Sequence, residues 1–355
     1  MVQNVLVKIL LAPFSLLYGL GVSLRNGLYQ LGLLKEISFN LPVISVGNLS
    51  VGGAGKSPHI EYLIRLLQDY LEVATLSRGY RRKTKGFRVV KPTDNAEIVG
   101  DEPLQFARKF PRIYPCISES RTFGILQIVA DRPQTQVILL DDAFQHRSVK
   151  PGLNILLTEY SLPFTRDYLL PSGRLREWRQ AYHRADMIIV SKCPTRLSPD
   201  QRADLAREIE PLSGQRLFFS YYSYEQPYAL LDPDRKIALG SDHDLLLICA
   251  IAGTDYLVEY LEAQANSVSV MEYEDHHYFN RYDMGQLLAA FERMESARKL
   301  ILTTEKDAMR LELHRTWLEE KQLPIFVLPV RVRFHDDDAE AFDEAVRQFL
   351  LNFKV

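Results

Sequence analysis

The chain has 355 residues, 46% hydrophobic and 25% charged, with 43 Lys and Arg against 45 Asp and Glu, for a net charge of -2. That balance excludes disordered, collagen-like and polytopic membrane compositions and a generally basic nucleic-acid binder, so no nucleic-acid partner is expected. Cys116, Cys193 and Cys249 are too widely spaced for a disulfide framework or a CxxC metal site, and the length fits about two domains.

The first element is an apolar run from Val5 to Leu24, VLVKILLAPFSLLYGLGVSL. At ~1.5 Å per residue it is just long enough to cross a ~30 Å hydrocarbon core. Lys8, Pro13, Gly19 and Gly21 interrupt it, Arg25 and Lys35 follow it, and no small-x-small cleavage site is evident. The expectation is a helix lying in a membrane interface, with spanning and burial in the core as the other readings.

Continuous Val/Ile/Leu runs at Pro42–Val46, Glu72–Leu76, Val137–Leu140, Asn154–Thr158 and Met187–Val190 are expected as parallel strands buried on both faces. Helices such as His59–Tyr70 and Glu102–Phe110 lie between them. Phe218–Leu239, rich in Tyr, Pro and Asp, breaks the rhythm and is expected to be a linker. A second series follows with strands at Leu245–Ile251, Val268–Tyr273, Leu300–Thr303 and Ile325–Val327. The fold class expected is α/β: a P-loop NTPase-type, mostly parallel sheet flanked by helices, a second smaller α/β domain, and the N-terminal membrane-docking helix. The expected boundaries are 1–35, 36–217, a linker over 218–239, and 240–355.

The stretch Val43–Ser57, followed by Pro58, places a glycine-rich loop ending in Gly55-Lys56-Ser57 between a strand and a helix. Backbone amides of Ser50, Val51, Gly52, Gly53, Ala54 and Gly55 can curl around phosphates, Lys56 can reach the β and γ oxygens, and the Ser57 hydroxyl can ligate Mg2+. Ser50 occupies the position of the usual first glycine. Gln136–Asp142 is a hydrophobic strand ending in Asp141 and Asp142, either of which can hold the metal at a strand's carboxyl end. The place of a guanine clamp reads Ser191-Lys192-Cys193-Pro194, without the needed carboxylate, so ATP is favoured over GTP.

Together these motifs resemble tetraacyldisaccharide 4'-kinase, the lipid A 4'-kinase family of Gram-negative bacteria. The resemblance runs nearly end to end through Leu24–Gly32, Val46–Pro58, Ser77–Tyr80, Gly100–Pro103, Asp141–His146, Leu170–Glu177, Ala252–Thr254, Asp275-His276 and Thr304–Asp307. Ser57 stands where Thr is commoner and Ala143 where Gly is common; neither removes a needed group.

The resemblance implies transfer of the ATP γ-phosphate to the 4'-hydroxyl of an acylated disaccharide 1-phosphate lipid, with Mg2+, at the cytoplasmic face of the inner membrane. It implies Asp101 as acceptor of the hydroxyl proton, paired with His276, and an active site assembled from both domains by closure. It also implies Glu177 as a further metal carboxylate, and Asn48, Arg78, Tyr80, Arg121, Gln145 and His146 toward the acceptor or the γ-phosphate. The remaining basic residues through Arg88 fit anionic headgroups. No obligate protein partner is evident. A membrane-docked P-loop switch acting on a protein partner, and a soluble ligase of the dethiobiotin-synthase type, are the alternatives. The missing guanine clamp counts against the first and the apolar helix against the second.

Overall fold

The computed structural model describes residues 5–354. The apolar start forms α1 (Val5–Gln30). The first series runs β1 (Val43–Asn48), α2 (Lys56–Leu67), β2 (Val73–Ser77), β3 (Arg88–Val89), α3 (Ala96–Val99), α4 (Asp101–Lys109), β4 (Tyr114–Ile117), α5 (Arg121–Asp131), β5 (Val137–Asp141), β6 (Leu153–Glu159), β7 (Met187–Ser191), α6 (Pro199–Ile209) and β8 (Arg216–Tyr224). Then come β9 (Tyr228–Ala229), β10 (Asp232–Lys236), β11 (Asp244–Cys249), α7 (Asp255–Glu262), β12 (Ser267–Glu272), α8 (Arg281–Arg293), β13 (Lys299–Thr304), α9 (Glu305–Leu311), α10 (Arg315–Lys321), β14 (Ile325–Leu328), β15 (Val330–Phe334) and α11 (Asp338–Leu351).

Nine strands form one sheet in the order β15-β8-β7-β6-β1-β5-β2-β4-β3, parallel except for its two edges. Strands β1, β2, β5 and β7 are buried along their whole length, as continuous apolar runs between two helical layers should be. The six-stranded sheet, β10-β9-β14-β13-β11-β12, has a parallel centre of β11 to β14 and an antiparallel β9–β10 edge.

Two features differ from the expectations. Phe218–Tyr224 is no linker: it lies in β8, parallel to β7 within the large sheet. Phe218, Phe219 and Ser220 are all buried, the two rings in separate core clusters, while Tyr221 and Tyr222 stay only partly covered, a strand pattern that composition alone reads as irregular. The chain also returns: β15 pairs antiparallel with β8, and α11 adds Phe342, Ala345 and Val346 to the core of the large sheet. The C-terminal twenty-odd residues thus build the first lobe rather than the second.

The parallel strands of both sheets point their carboxyl ends at one cleft of about 950 Å³. The lobes are clamped beside it by buried ion pairs. Lys109 of α4 reaches Glu61 of α2 at 2.7 Å and Glu305 of α9 at 2.5 Å, and Gln105 donates to Glu61. Burial and the nearby Glu61 push the Glu305 carboxyl up to about 7.

Helix α1 is held to the large lobe along most of its length. Ser15 donates to Leu169 O, Tyr18 to Arg176 O, and Arg25 to Gln145 O, while the Trp178 indole donates to Ser23. Gly19 permits the closest approach, since a Cβ there would lie 2.4 Å from the Trp178 ring. The opposite face carries Leu6, Leu10, Leu20 and Leu24 out to solvent, with Leu10 73% exposed. This helix presents its apolar side outward and its polar and small side to the protein.

Candidate active site

The phosphate loop is shaped by two close approaches. Gly53 packs on Ala252 of the second lobe, where a Cβ would meet the Ala252 carbonyl at 2.7 Å. Gly55 has φ +86, and a Cβ there would lie 2.2 Å from the Tyr222 hydroxyl. Only glycine meets both demands at Gly55. Val51 donates its backbone N–H to Arg174 O, and His59 fastens the loop from beneath, between Gly55 O at 2.7 Å and Ser220 Oγ at 3.0 Å. Burial holds the His59 imidazole down at about 4, hence neutral. Ser50, Val51, Gly52, Gly53, Gly55, Lys56 and Ser57 line the cleft; Ala54 is buried and instead accepts from Ser191 through its carbonyl.

Lys56 donates to Asn48 Oδ1 at 3.1 Å and lies 3.7 Å from Asp142. Asn48, expected on the substrate side, does not line the main cleft: it is buried and also accepts from Arg176 at 2.5 Å. Its role here is to aim the two cations. Arg176, which the sequence did not single out, closes on Asp142 at 2.9 and 3.2 Å.

Asp141 and Asp142 both face the cleft but differ in environment. Burial, with Glu102 and Asp142 nearby, pushes the Asp141 carboxyl up to about 7, and its Oδ1 is buried without a partner. Burial works against the charge on Asp142 too, but Lys56, Arg176 and Arg121 outweigh it and hold its pKa below the ordinary range. A left-handed backbone, φ +45, turns Asp142 out of the strand line. Ser57 donates to Glu102 Oε1 at 3.0 Å, so Glu102 joins the aspartates at the loop.

Oδ2 of Asp141 accepts from Ser77, but its orphaned Oδ1 and raised pKa, beside the Ser57 hydroxyl and two further acids, are the signature of missing positive charge, which a hard cation supplies. Among the described residues no three His, Cys, Asp or Glu side chains make a closed metal cage. An open set of this kind suits Mg2+, which takes few protein ligands and shares the rest with phosphates and water.

Glu177 lines the same cleft with other partners. Its buried carboxylate is taken by Arg184 at 2.9 and 3.0 Å and by Asn26 of α1 at 3.0 Å. Besides lining the cleft, it anchors the apolar helix to the large lobe.

Arg78, Tyr80, Arg121, Gln145 and His146, expected toward the acceptor or the γ-phosphate, all line the cleft. Arg121 is almost fully buried, donating to Ser118 O and Asp141 O, and burial pulls its pKa down to about 10. Burial and the neighbouring Arg121 hold His146 at about 4. Tyr80 packs edge-on against His276, with ring centroids 4.8 Å apart.

Asp101 opens α4 and His276 follows β12, where φ +60 turns its side chain back toward the large lobe. His276 Nδ1 lies 3.0 Å from Asp101 Oδ2. The same oxygen accepts from the fully buried Arg310 at 2.5 Å, and Oδ1 accepts from the Glu102 backbone N–H. Burial would raise this carboxyl, but Lys306, His276 and Arg310 together hold it below the usual carboxylate range. Asp101 is buried and reaches the cleft through His276, which lines it. The pair is already joined in this structure, so no closure is needed to bring these two residues together.

Sequence reading missed Glu102, Arg176, Lys306 and Arg310. Glu102, Arg176 and Lys306 belong to motifs that were noticed, Gly100–Pro103, Leu170–Glu177 and Thr304–Asp307, so the signal was present. The far end of the cleft is lined by Tyr222, Tyr224, Tyr256, Leu257 and Leu328, and Lys192 stands over the Tyr256 ring at 4.5 Å. No motif announced this aromatic end.

Residues 7–351 match the tetraacyldisaccharide-1-P 4'-kinase family. Tetraacyldisaccharide 4'-kinase of Phocaeicola vulgatus is 41% identical over 96% of this chain and 94% of that protein. Its counterpart in Flavobacterium johnsoniae is 42% identical over 98% of both. A crystal structure of LpxK from Aquifex aeolicus in complex with ATP superposes with a TM-score of 0.72 at 28% identity, covering 97% of this chain and 99% of that one. With matches of that length from three directions, and the loop, acids and Asp101–His276 pair gathered in one cleft, the chain belongs to the tetraacyldisaccharide-1-P 4'-kinase family.

Proposed function

We propose that this protein is an ATP-dependent kinase that phosphorylates the 4'-hydroxyl of a tetraacyldisaccharide 1-phosphate at a membrane surface. The observation that carries the reading is the single cleft with the phosphate loop on its floor and α1 at its mouth: Leu17, Tyr18 and Val22 line the same space as Lys56 and Asp142. A water-soluble acceptor would have no use for a mouth of this kind. Moving each acyl methylene from bilayer to water costs ~0.8 kcal/mol, so an enzyme for such a lipid works where the lipid lies.

On this reading the loop amides and Lys56 hold the ATP phosphates, and the aromatic end of the cleft takes the base. Ser57, Asp141, Asp142 and Glu102 would hold Mg2+, which when bound neutralises phosphate charge. The acceptor enters beneath α1, with Arg78, Arg121 and His146 facing it. The Asp101–His276 pair takes the hydroxyl proton as the oxygen attacks phosphorus and the bond to the β-phosphate oxygen breaks. The helix lies along the protein from Ser15 to Asn26 while exposing its leucines, which supports docking in the interface over spanning. The cytoplasmic face of the inner membrane follows from where ATP is available.

The test is transfer of label from γ-labelled ATP to a tetraacyldisaccharide 1-phosphate in detergent micelles. The expected product is a bisphosphorylated lipid, lost with Lys56→Ala. ATP hydrolysis without labelled lipid would instead favour a P-loop switch.

A further inference from the structure

Lys306 is the second residue of α9, and its ammonium lies 3.0 Å from Nε2 of His276, 3.3 Å from Glu102 and 3.7 Å from Asp275. A cation in the first turn of a helix opposes the helix dipole, so something must hold it there. The carboxylates of Glu102 and Asp275 hold it. A lysine ammonium has three donors and no acceptor.

That fixes the chemistry of the ring it faces. Asp275 Oδ2 lies 3.9 Å from Nε2 of His276, beyond hydrogen-bond reach, so Nε2 presents its lone pair to Lys306 at 3.0 Å, which leaves the proton on Nδ1, pointing at Asp101 Oδ2. The reverse tautomer would set N–H against ammonium on one side and lone pair against carboxylate on the other. The ring plane is held independently, by Tyr80 packing edge-on and by Arg81 donating to the His276 carbonyl at 2.6 Å. Arg310 and the Glu102 backbone N–H fix other lone pairs of Asp101, so the His276 proton is the remaining determinant of its direction.

We infer that Lys306 is a positioning residue for phosphoryl transfer, setting the Nδ1–H tautomer of His276 and through it the orientation of Asp101. The inference rests on the reading of Asp101–His276 as the pair that takes the hydroxyl proton. It also gives the second lobe a role beyond covering the nucleotide: α9 supplies the charge that prepares the base.

The test is a double-mutant cycle on the full chain in detergent micelles with ATP, Mg2+ and tetraacyldisaccharide 1-phosphate, comparing wild type, Lys306→Met, His276→Ala and the double variant. Lys306→Met is expected to lower kcat by ~10–100-fold with the KM for ATP nearly unchanged. In the His276→Ala background the same change is expected to cost less than about twofold, because the group it acts through is gone. Lys306→Arg, which keeps a donor, is expected to recover part of the loss. Long-range nitrogen–proton NMR of 15N-histidine protein is expected to show the Nδ1–H form of His276 in the wild type.

Additive losses in the cycle would overturn the role of Lys306 while leaving the pair intact. His276→Ala with full turnover would bring down the pair reading itself. Should Lys306→Met not fold, the wild-type spectrum decides alone: an Nε2–H ring or an imidazolium at His276 overturns the inference.

Discussion

Oδ2 of Asp101 and Nδ1 of His276 lie 3.0 Å apart across 175 residues of chain, one at the head of a helix in the first lobe and the other at a strand end in the second. The contact is only one of three donors on that carboxylate, which is held ionised by surrounding positive charge. Asp101→Asn keeps the shape and removes the charge. We expect it to lower kcat by ~10²–10⁴-fold, the usual weight of a positioned proton acceptor, with little change in the KM for ATP. It should also lower Tm, because the buried Arg310 loses one of its two carboxylate partners. A stopped-time label-transfer assay and a melting curve separate the two effects.

The raised pKa of Asp141 sets a pH dependence whose sign can be worked out. Its carboxyl ionises near 7 in the folded protein and near 3.8 when unexposed to these neighbours, so the folded chain keeps a proton that the unfolded chain has lost. Without metal, this group's contribution to stability is full below about 3.8 and falls as pH rises toward about 7. A bound cation must displace the proton, so Mg2+ affinity should climb with pH through about 7. Calorimetric Mg2+ titrations in the presence of ADP should show that climb, and Asp141→Asn should flatten it while weakening binding.

The phosphate loop gives a test of close packing. Gly55→Ala places a methyl against the Tyr222 hydroxyl and forces a left-handed backbone on a residue with a Cβ, at ~1–2 kcal/mol for the backbone alone. Nucleotide affinity should drop sharply. Adding Tyr222→Phe removes the hydroxyl and should recover the steric part only, leaving roughly a 10-fold deficit from the backbone. Full recovery would mean that the φ of +86 is not required for binding.

How much of this was legible beforehand depends on what each residue's sequence neighbours reveal. The loop, the paired aspartates and the central strands announce themselves because a buried parallel strand ending in glycines or acids has few other uses. Strand β8 was read as linker because its tyrosines and serines look irregular until β15, more than 100 residues later, supplies its antiparallel neighbour. Composition cannot show a partner that distant. Lys306 lay in a noticed motif without a role, and Arg310 in none; only the packing of α9 against α4 makes Arg310 fully buried. The partners of Glu177 were hidden for the same reason, since only the folded chain brings Arg184 and Asn26 to its carboxylate.

The division of roles between Glu102 and Glu177 is itself testable. Glu102→Gln should weaken Mg2+ binding and lower turnover, because it removes charge beside Ser57 and Asp141. Glu177→Gln leaves those groups untouched but breaks the Arg184 ion pair and weakens the Asn26 anchor. It should leave Mg2+ affinity unchanged and lower Tm by an amount reflecting ~3 kcal/mol or less for a broken buried pair. The reverse pattern would return Glu177 to the metal.

The last test concerns α1. Its leucines at 10, 20 and 24 face outward and its small residues face in, so the two faces can be changed separately. Leu10→Gln, Leu20→Gln and Leu24→Gln together remove apolar surface that is largely exposed. We expect an unchanged Tm and KM for ATP, with binding to phosphatidylethanolamine–phosphatidylglycerol vesicles weakened by about 10-fold per residue if each forfeits ~1.4 kcal/mol of burial in lipid. Turnover of acceptor embedded in those vesicles should fall in parallel. Gly19→Leu acts on the other face: its side chain would collide with Trp178 and pry the helix from the lobe, lowering Tm and turnover while leaving the outward leucines in place. Vesicle binding that survives the triple change would show that the outward face of α1 is not what holds the enzyme to its lipid.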